Sequence, residues 1–115
     1  MDNTDIGLPS PVPSFVVWSN PILAIGFNSF TWVFDATLDT ELYVAVCHPT
    51  NLGLLTSLLI GVFAPPGPTG FDFGAFELTM GADPFVWNVL RLGVVNVVPP
   101  GVSTITPCQL FAGRR

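Results

Sequence analysis

The segment from Glu41 to Pro68 reads ELYVAVCHPTNLGLLTSLLIGVFAPPGP, and no charged residue lies between Glu41 and Asp72. Apolar surface gains about 25 cal/mol for every Å² removed from water, so a long uncharged segment must be covered by the chain's own core, by a partner or by a membrane. A membrane helix needs about 20 consecutive, mainly apolar residues, and Tyr43 to Ala64 has that length. Its interior does not suit a helix. Pro49 interrupts it, His48, Thr50 and Asn51 cluster near its start, and Gly53 and Gly61 weaken it further. No arginine flanks it to set an orientation. Burial in protein is the preferred reading, with a membrane span as its competitor.

The rest of the composition points the same way. The 115 residues fit one domain. Half are apolar and only 10% are charged, against about 25% in ordinary soluble domains. There is no lysine, the only basic residues are Arg91, Arg114 and Arg115, and the formal net charge is −5. Nucleic-acid binding needs a basic footprint that neutralises phosphates, and this chain has none. Cys47 and Cys108 could form one bridge, but spacing alone cannot bring their Cα atoms within the roughly 7 Å that a disulfide requires; buried free thiols are the plainer expectation. The start, MDNTDIGLPS, carries acids where a secretory signal has a basic and then an apolar stretch. The chain therefore reads as one not exported by a signal peptide and made in a reducing compartment.

Along the chain, Pro9, Pro11 and Pro13 at a spacing of two forbid helix and favour extended backbone, so residues 1–14 read as an N-terminal arm. Ile6, Leu8 and Val12 in that arm need cover, which a neighbouring subunit could supply; a disordered tail is the alternative. Residues 15–115 read as an all-β domain. Phe15 to Trp18 and Ile22 to Phe27 are two strands, or one strand broken at Ser19-Asn20-Pro21. Thr31 to Leu38 alternates, with Trp32, Phe34, Ala36 and Leu38 on one face, and Leu42, Val44 and Val46 resume the alternation after Asp39-Thr40. These two stretches form the strongest hairpin expectation. Leu58 to Ala64 reads as a strand buried on both faces, with some helix around Leu52 to Leu59 as the alternative, and Pro65-Pro66-Gly67-Pro68-Thr69-Gly70 stops it. Phe71 to Met80, Phe85 to Gly93, Val94 to Val98 and Ser103 to Phe111 complete about eight short strands, the pattern of a β-sandwich or jelly roll.

Chemistry is sparse. His48 is the only histidine, and with Cys47 and Cys108 it makes at most three of the four ligands that a structural zinc site uses. A nucleophile pair between Cys108 and His48 rests on nothing beyond the two residue types. Asp35, Asp39 and Glu41 fall in the expected hairpin turn, where solvated acids are common. Gly67, Gly70 and Gly74 lack the strand-loop-helix setting of a phosphate cradle. No cofactor is implied and the chain does not read as an enzyme. The aromatic residues say more: 10 Phe, 3 Trp and 1 Tyr are spread through nearly every expected strand. A sandwich of this size turns alternate residues outward. That outward set, which includes Val33, Tyr43, Phe76 and residues around Leu58 to Phe63, is apolar enough to mark an interaction surface.

A proline-studded arm (Leu8-Pro9-Ser10-Pro11-Val12-Pro13), a short-strand β-body, loops such as Pro65 to Gly70 and the lack of a catalytic set together resemble the small capsid decoration, or cement, proteins of tailed bacteriophages. The likeness is one of design over the whole chain and carries no diagnostic motif. It implies a virion protein assembled in the host cytoplasm, a dimer or trimer of itself, that clamps neighbouring subunits of the major capsid protein. On this reading the interface is drawn from Ile6, Leu8, Pro9, Pro11, Val12, Pro13, Tyr43 and Phe76, with Arg114 and Arg115 as a terminal anchor to an acidic neighbour. A minor capsid or tail subunit, or a small membrane protein, is the alternative.

Overall fold

The computed structural model describes residues 6–24, 27, 29–47, 54–74, 89–105 and 108–113, the side chains of residues 54–56 excepted. These residues form an all-β protein of eight strands: β1 (Val17–Trp18), β2 (Ile22–Leu23), β3 (Ser29–Phe34), β4 (Thr40–Cys47), β5 (Leu54–Phe63), β6 (Thr69–Gly74), β7 (Val89–Asn96) and β8 (Gln109–Gly113). They make two antiparallel sheets. The larger has the order β1-β7-β4-β5, with β2 also paired to β7; the smaller has the order β6-β3-β8.

Alternation builds the core between them. Leu42 and Val44 from β4, and Leu90, Leu92 and Val94 from β7, face Phe30, Trp32 and Phe34 from β3, and all are buried. Phe34 reaches across the layer to Phe63 of β5, ring centroids 5.3 Å apart at 74°, and also meets Trp32 edge-on at 5.5 Å. Such edge-to-face pairs add about 0.5–1.5 kcal/mol to the area they bury. Gly61 belongs to the same layer: a Cβ there would lie 2.6 Å from Phe71 Cε1, so only glycine lets the Phe71 ring of the smaller sheet approach the larger. The accessible surface is 6138 Å², close to the roughly 6,100 Å² that a compact monomer of 12.3 kDa exposes.

Three expectations differ from the structure. The hairpin of Thr31 to Leu38 with Leu42 to Cys47 does not form, because β3 and β4 lie in different sheets. Alternation tells which face is buried but not which sheet a strand joins, and residues 35–39 can span the ~10 Å between sheets. Ala36 pairs with Ile105 on the way, and Thr37 N–H donates to the Thr104 carbonyl. β4 pairs instead with β5 and β7, so the described parts of the uncharged Tyr43 to Ala64 stretch lie in two antiparallel strands. Second, β5 ends the larger sheet among the described strands and turns Leu59 and Val62 to solvent, rather than being buried on both faces. Third, Phe85 to Gly93 and Val94 to Val98 are not separate strands: β7 runs unbroken from Val89 to Asn96, and the part of the first stretch before Val89 lies outside the described residues.

The N-terminal segment also departs from a free arm. Ile6, Leu8 and Val12 are buried in the chain's own core. Asn20 N–H donates to the Ile6 carbonyl, Val12 N–H to the Ser103 carbonyl, and Asn96 N–H to the Pro13 carbonyl. These ties lay residues 6–13 along the body. β1 and β2 then pair with the same edge of β7. The break between them is spanned by Ser19, whose N–H donates to the Leu92 carbonyl while its Oγ accepts from Leu92 N–H.

Candidate interaction surface

The outer face of the larger sheet follows from its register. Glu41 lies directly opposite Val62 of β5 and Val95 of β7. Tyr43 lies opposite Leu59 and Gly93, and Gly93 opposite Trp18. Directly opposed residues share a face, so these side chains form two adjacent rows on the side away from the core. Leu59 is 48% exposed and Val62 52%, while Trp18, Tyr43 and Val95 are half-buried. Asp39 and Val97 extend the pattern one step past the strand ends, joined by a hydrogen bond from Val97 N–H to the Asp39 carbonyl at 3.4 Å.

Two features keep this face in place. A Cβ on Gly93 would lie 2.7 Å from Trp18 Cζ3, so the indole sits directly over a position that has no side chain. From there it meets Tyr43 edge-on, centroids 6.5 Å apart. The Tyr43 hydroxyl donates to Glu41 Oε2, and this bond, with burial and the like-signed charge, pushes the phenol above its usual value. Tyr43 is therefore a neutral donor at physiological pH. β5 carries an extra residue at two places, Ile60 between Leu59 and Gly61, and Leu55 between Leu54 and Thr56. Such bulges twist an edge and re-aim its side chains. The first puts Leu59 and Val62 on the outer face while Leu58 and Phe63 pack inward.

A second group of exposed apolar residues lies at the same end of the sheet. Phe15 and Val16 precede β1, and Val97, Val98 and Val102 follow β7, all exposed. The loop after β7 is tied down by Asn96, whose side chain donates to the Gly101 carbonyl at 2.7 Å and accepts from Val98 N–H at 2.9 Å. Beneath it Thr40 and Ser103, both fully buried, hydrogen-bond to each other and to the Leu38 carbonyl. Buried polar groups that are fully partnered hold a loop in one conformation.

The residues singled out from sequence separate cleanly. Tyr43 lies at the centre of the outer face. Ile6, Leu8 and Val12 are core residues, because their burial and the hydrogen bonds beside them leave no side chain for a neighbour. That corrects their place in the interface. Pro9 and Pro11 are exposed and Pro13 half-buried. Phe76, Arg114, Arg115 and His48 lie outside the described residues. Cys47 and Cys108 are both buried. Burial pushes the Cys47 thiol upward, partly offset by the Arg91 guanidinium. Asp35, Asp39 and Glu41 are half-buried. Among the described residues no three of His, Cys, Asp and Glu come together as metal ligands would, and no helix is long and apolar enough to cross a membrane. Trp18, Val95 and Val97 were missed because their place depends on the β7 register, which sequence spacing does not reveal. No protein-family model matches the chain, and neither a curated protein nor a solved structure does.

Proposed function

We propose that this chain is a non-enzymatic structural protein that binds other polypeptides through the outer face of its larger sheet, and that it serves as a capsid decoration, or cement, protein bridging major capsid subunits. One observation carries the binding role: a compact body leaves Leu59, Val62, Trp18 and Tyr43 together on a solvent-facing sheet surface. Contiguous apolar surface of this kind marks interaction sites in soluble proteins. The capsid role rests on the likeness in design: small size, a short-strand β-body and exposed proline-rich loops at Pro65 to Pro68 and Pro99 to Gly101. The mechanism is thermodynamic. A protein that binds only the assembled lattice stabilises it by mass action, and engaging two subunits at once raises the effective concentration of each contact.

The test is co-sedimentation with shells assembled from the capsid protein encoded by the same genome. Saturable binding to assembled shells, with little binding to unassembled subunits, is expected. Pelleting with tails instead of shells, or with neither, overturns the capsid role.

A further inference from the structure

One end of the outer face described above carries only negative charge among the described residues, beside its apolar rows. Glu41 stands in the row between Val62 and Val95, and Asp39 lies one step beyond it next to Val97. The only described cation, Arg91, lies further along the same face: it is opposite Ala45, past the row of Tyr43 and Leu59. Among the described residues neither Asp39 nor Glu41 makes an ion pair. The Glu41 carboxylate accepts from the Tyr43 hydroxyl, which fixes Oε2 and leaves the charge in place.

We propose, resting on the binding role above, that this end of the face docks a polypeptide surface of apolar side chains flanked by Lys or Arg. Leu59, Val62, Val95 and Val97 would take the apolar groups, and Glu41 and Asp39 the cations. Charge chooses between the possible occupants. A second copy paired through the same end of the face presents the same two carboxylates, on a chain whose formal charge is −5, so that pairing brings like charges together. An anionic lipid surface or a nucleic acid is repelled for the same reason. A basic partner is attracted, and rim charges of this kind act on selectivity and association rate more than on affinity.

Two synthetic peptides of equal length, one of alternating Val and Lys and one of alternating Val and Glu, test the charge preference. Backbone amide shifts of the full chain are the readout. The Lys peptide should shift Glu41, Tyr43, Leu59, Val62 and Val95, and its binding should weaken as salt rises from about 0.1 M to about 1 M, where the screening length falls from ~10 to ~3 Å. Glu41→Gln and Asp39→Asn should each weaken it about two- to five-fold, as loss of one rim ion pair does. Equal binding of the Glu peptide, shifts confined to other surfaces, no shift with either peptide, or concentration-dependent shifts of this face in the chain alone would each overturn the assignment. Co-sedimentation with shells separates the two proposals: shells that bind parent and both charge variants equally leave the binding role standing and remove this one. Shells that bind none remove the capsid role, and the peptide result then decides the charge preference alone.

Discussion

Replacing Ile6 by Ala should destabilise the whole body, although the residue lies in a segment that sequence alone marks as a loose arm. The side chain is 0% exposed and packs in the same core as Leu8 and Val12. Removing its methylene and methyl groups forfeits burial and leaves a cavity, and Ile→Ala at such sites costs about 2–5 kcal/mol. The next residue, Gly7, sits at φ 70° with the Asn20 side chain 2.5 Å from where its Cβ would be. The segment therefore has little room to collapse, and the upper half of that range is expected. For a chain of this size, with a urea dependence of about 1–3 kcal/mol per M, the unfolding midpoint should fall by at least about 1 M. The assay is urea denaturation followed by far-ultraviolet circular dichroism, with Pro9→Ala as control. Pro9 is exposed, and its replacement should stay within about 0.5 kcal/mol of the parent. Deleting residues 1–14 should be at least as damaging as Ile6→Ala. If Ile6→Ala and the deletion shift the midpoint no more than Pro9→Ala does, the segment is not part of the core and the reasoning fails.

Two further outcomes follow from the outer face. Gly93→Ala should cost about 1–3 kcal/mol, the range for forcing an extra group into packed surroundings, because the new Cβ would meet Trp18 Cζ3 at 2.7 Å. The near-ultraviolet spectrum should change as the indole moves off Tyr43; a stabilised variant with an unchanged aromatic spectrum would refute the contact. Burial holds the Cys47 thiol above its ordinary value of 9.0 in the folded chain, so the folded state keeps a proton that the unfolded state releases. Its contribution is fully present below about pH 9 and is lost as pH rises through the folded value. Between pH 8.5 and 10 the urea midpoint of Cys47→Ala should therefore fall less steeply than that of the parent, and equal slopes would count against a buried thiol. Tyr43 acts in the same direction only above its ordinary 10.0, which separates the two.

Much of the fold was legible because alternation is a local signal. The inward sets Trp32 and Phe34, then Leu42, Val44 and Val46, are the observed core residues of β3 and β4. What alternation could not carry was pairing. β3 and β4 present equally apolar inner faces, so nothing local said that residues 35–39 change sheet instead of turning back. The same gap hid the face itself. Tyr43 and the neighbourhood of Leu59 and Val62 could be named as outward and apolar, but their grouping with Trp18 and Val95 depends on β7 inserting between β1 and β4. The N-terminal error has a different origin. Prolines at a spacing of two exclude helix and say nothing about whether an extended segment is free or packed, and Ile6, Leu8 and Val12 were the residues whose burial settled that question.

The most direct test of the central claim, that the outer face of the larger sheet is covered by another polypeptide, is quantitative co-sedimentation of the Leu59→Ser/Val62→Ser double variant with assembled shells. Each side chain is about half exposed, so covering it contributes about 1 kcal/mol. Together the two losses amount to about 2 kcal/mol, or roughly thirty-fold in affinity. That loss is expected from a variant that still folds cooperatively, with its stability lowered by about 2 kcal/mol because the body itself covers the other half of each side chain. Binding as tight as that of the parent, by a variant shown to be folded, would contradict the covered face.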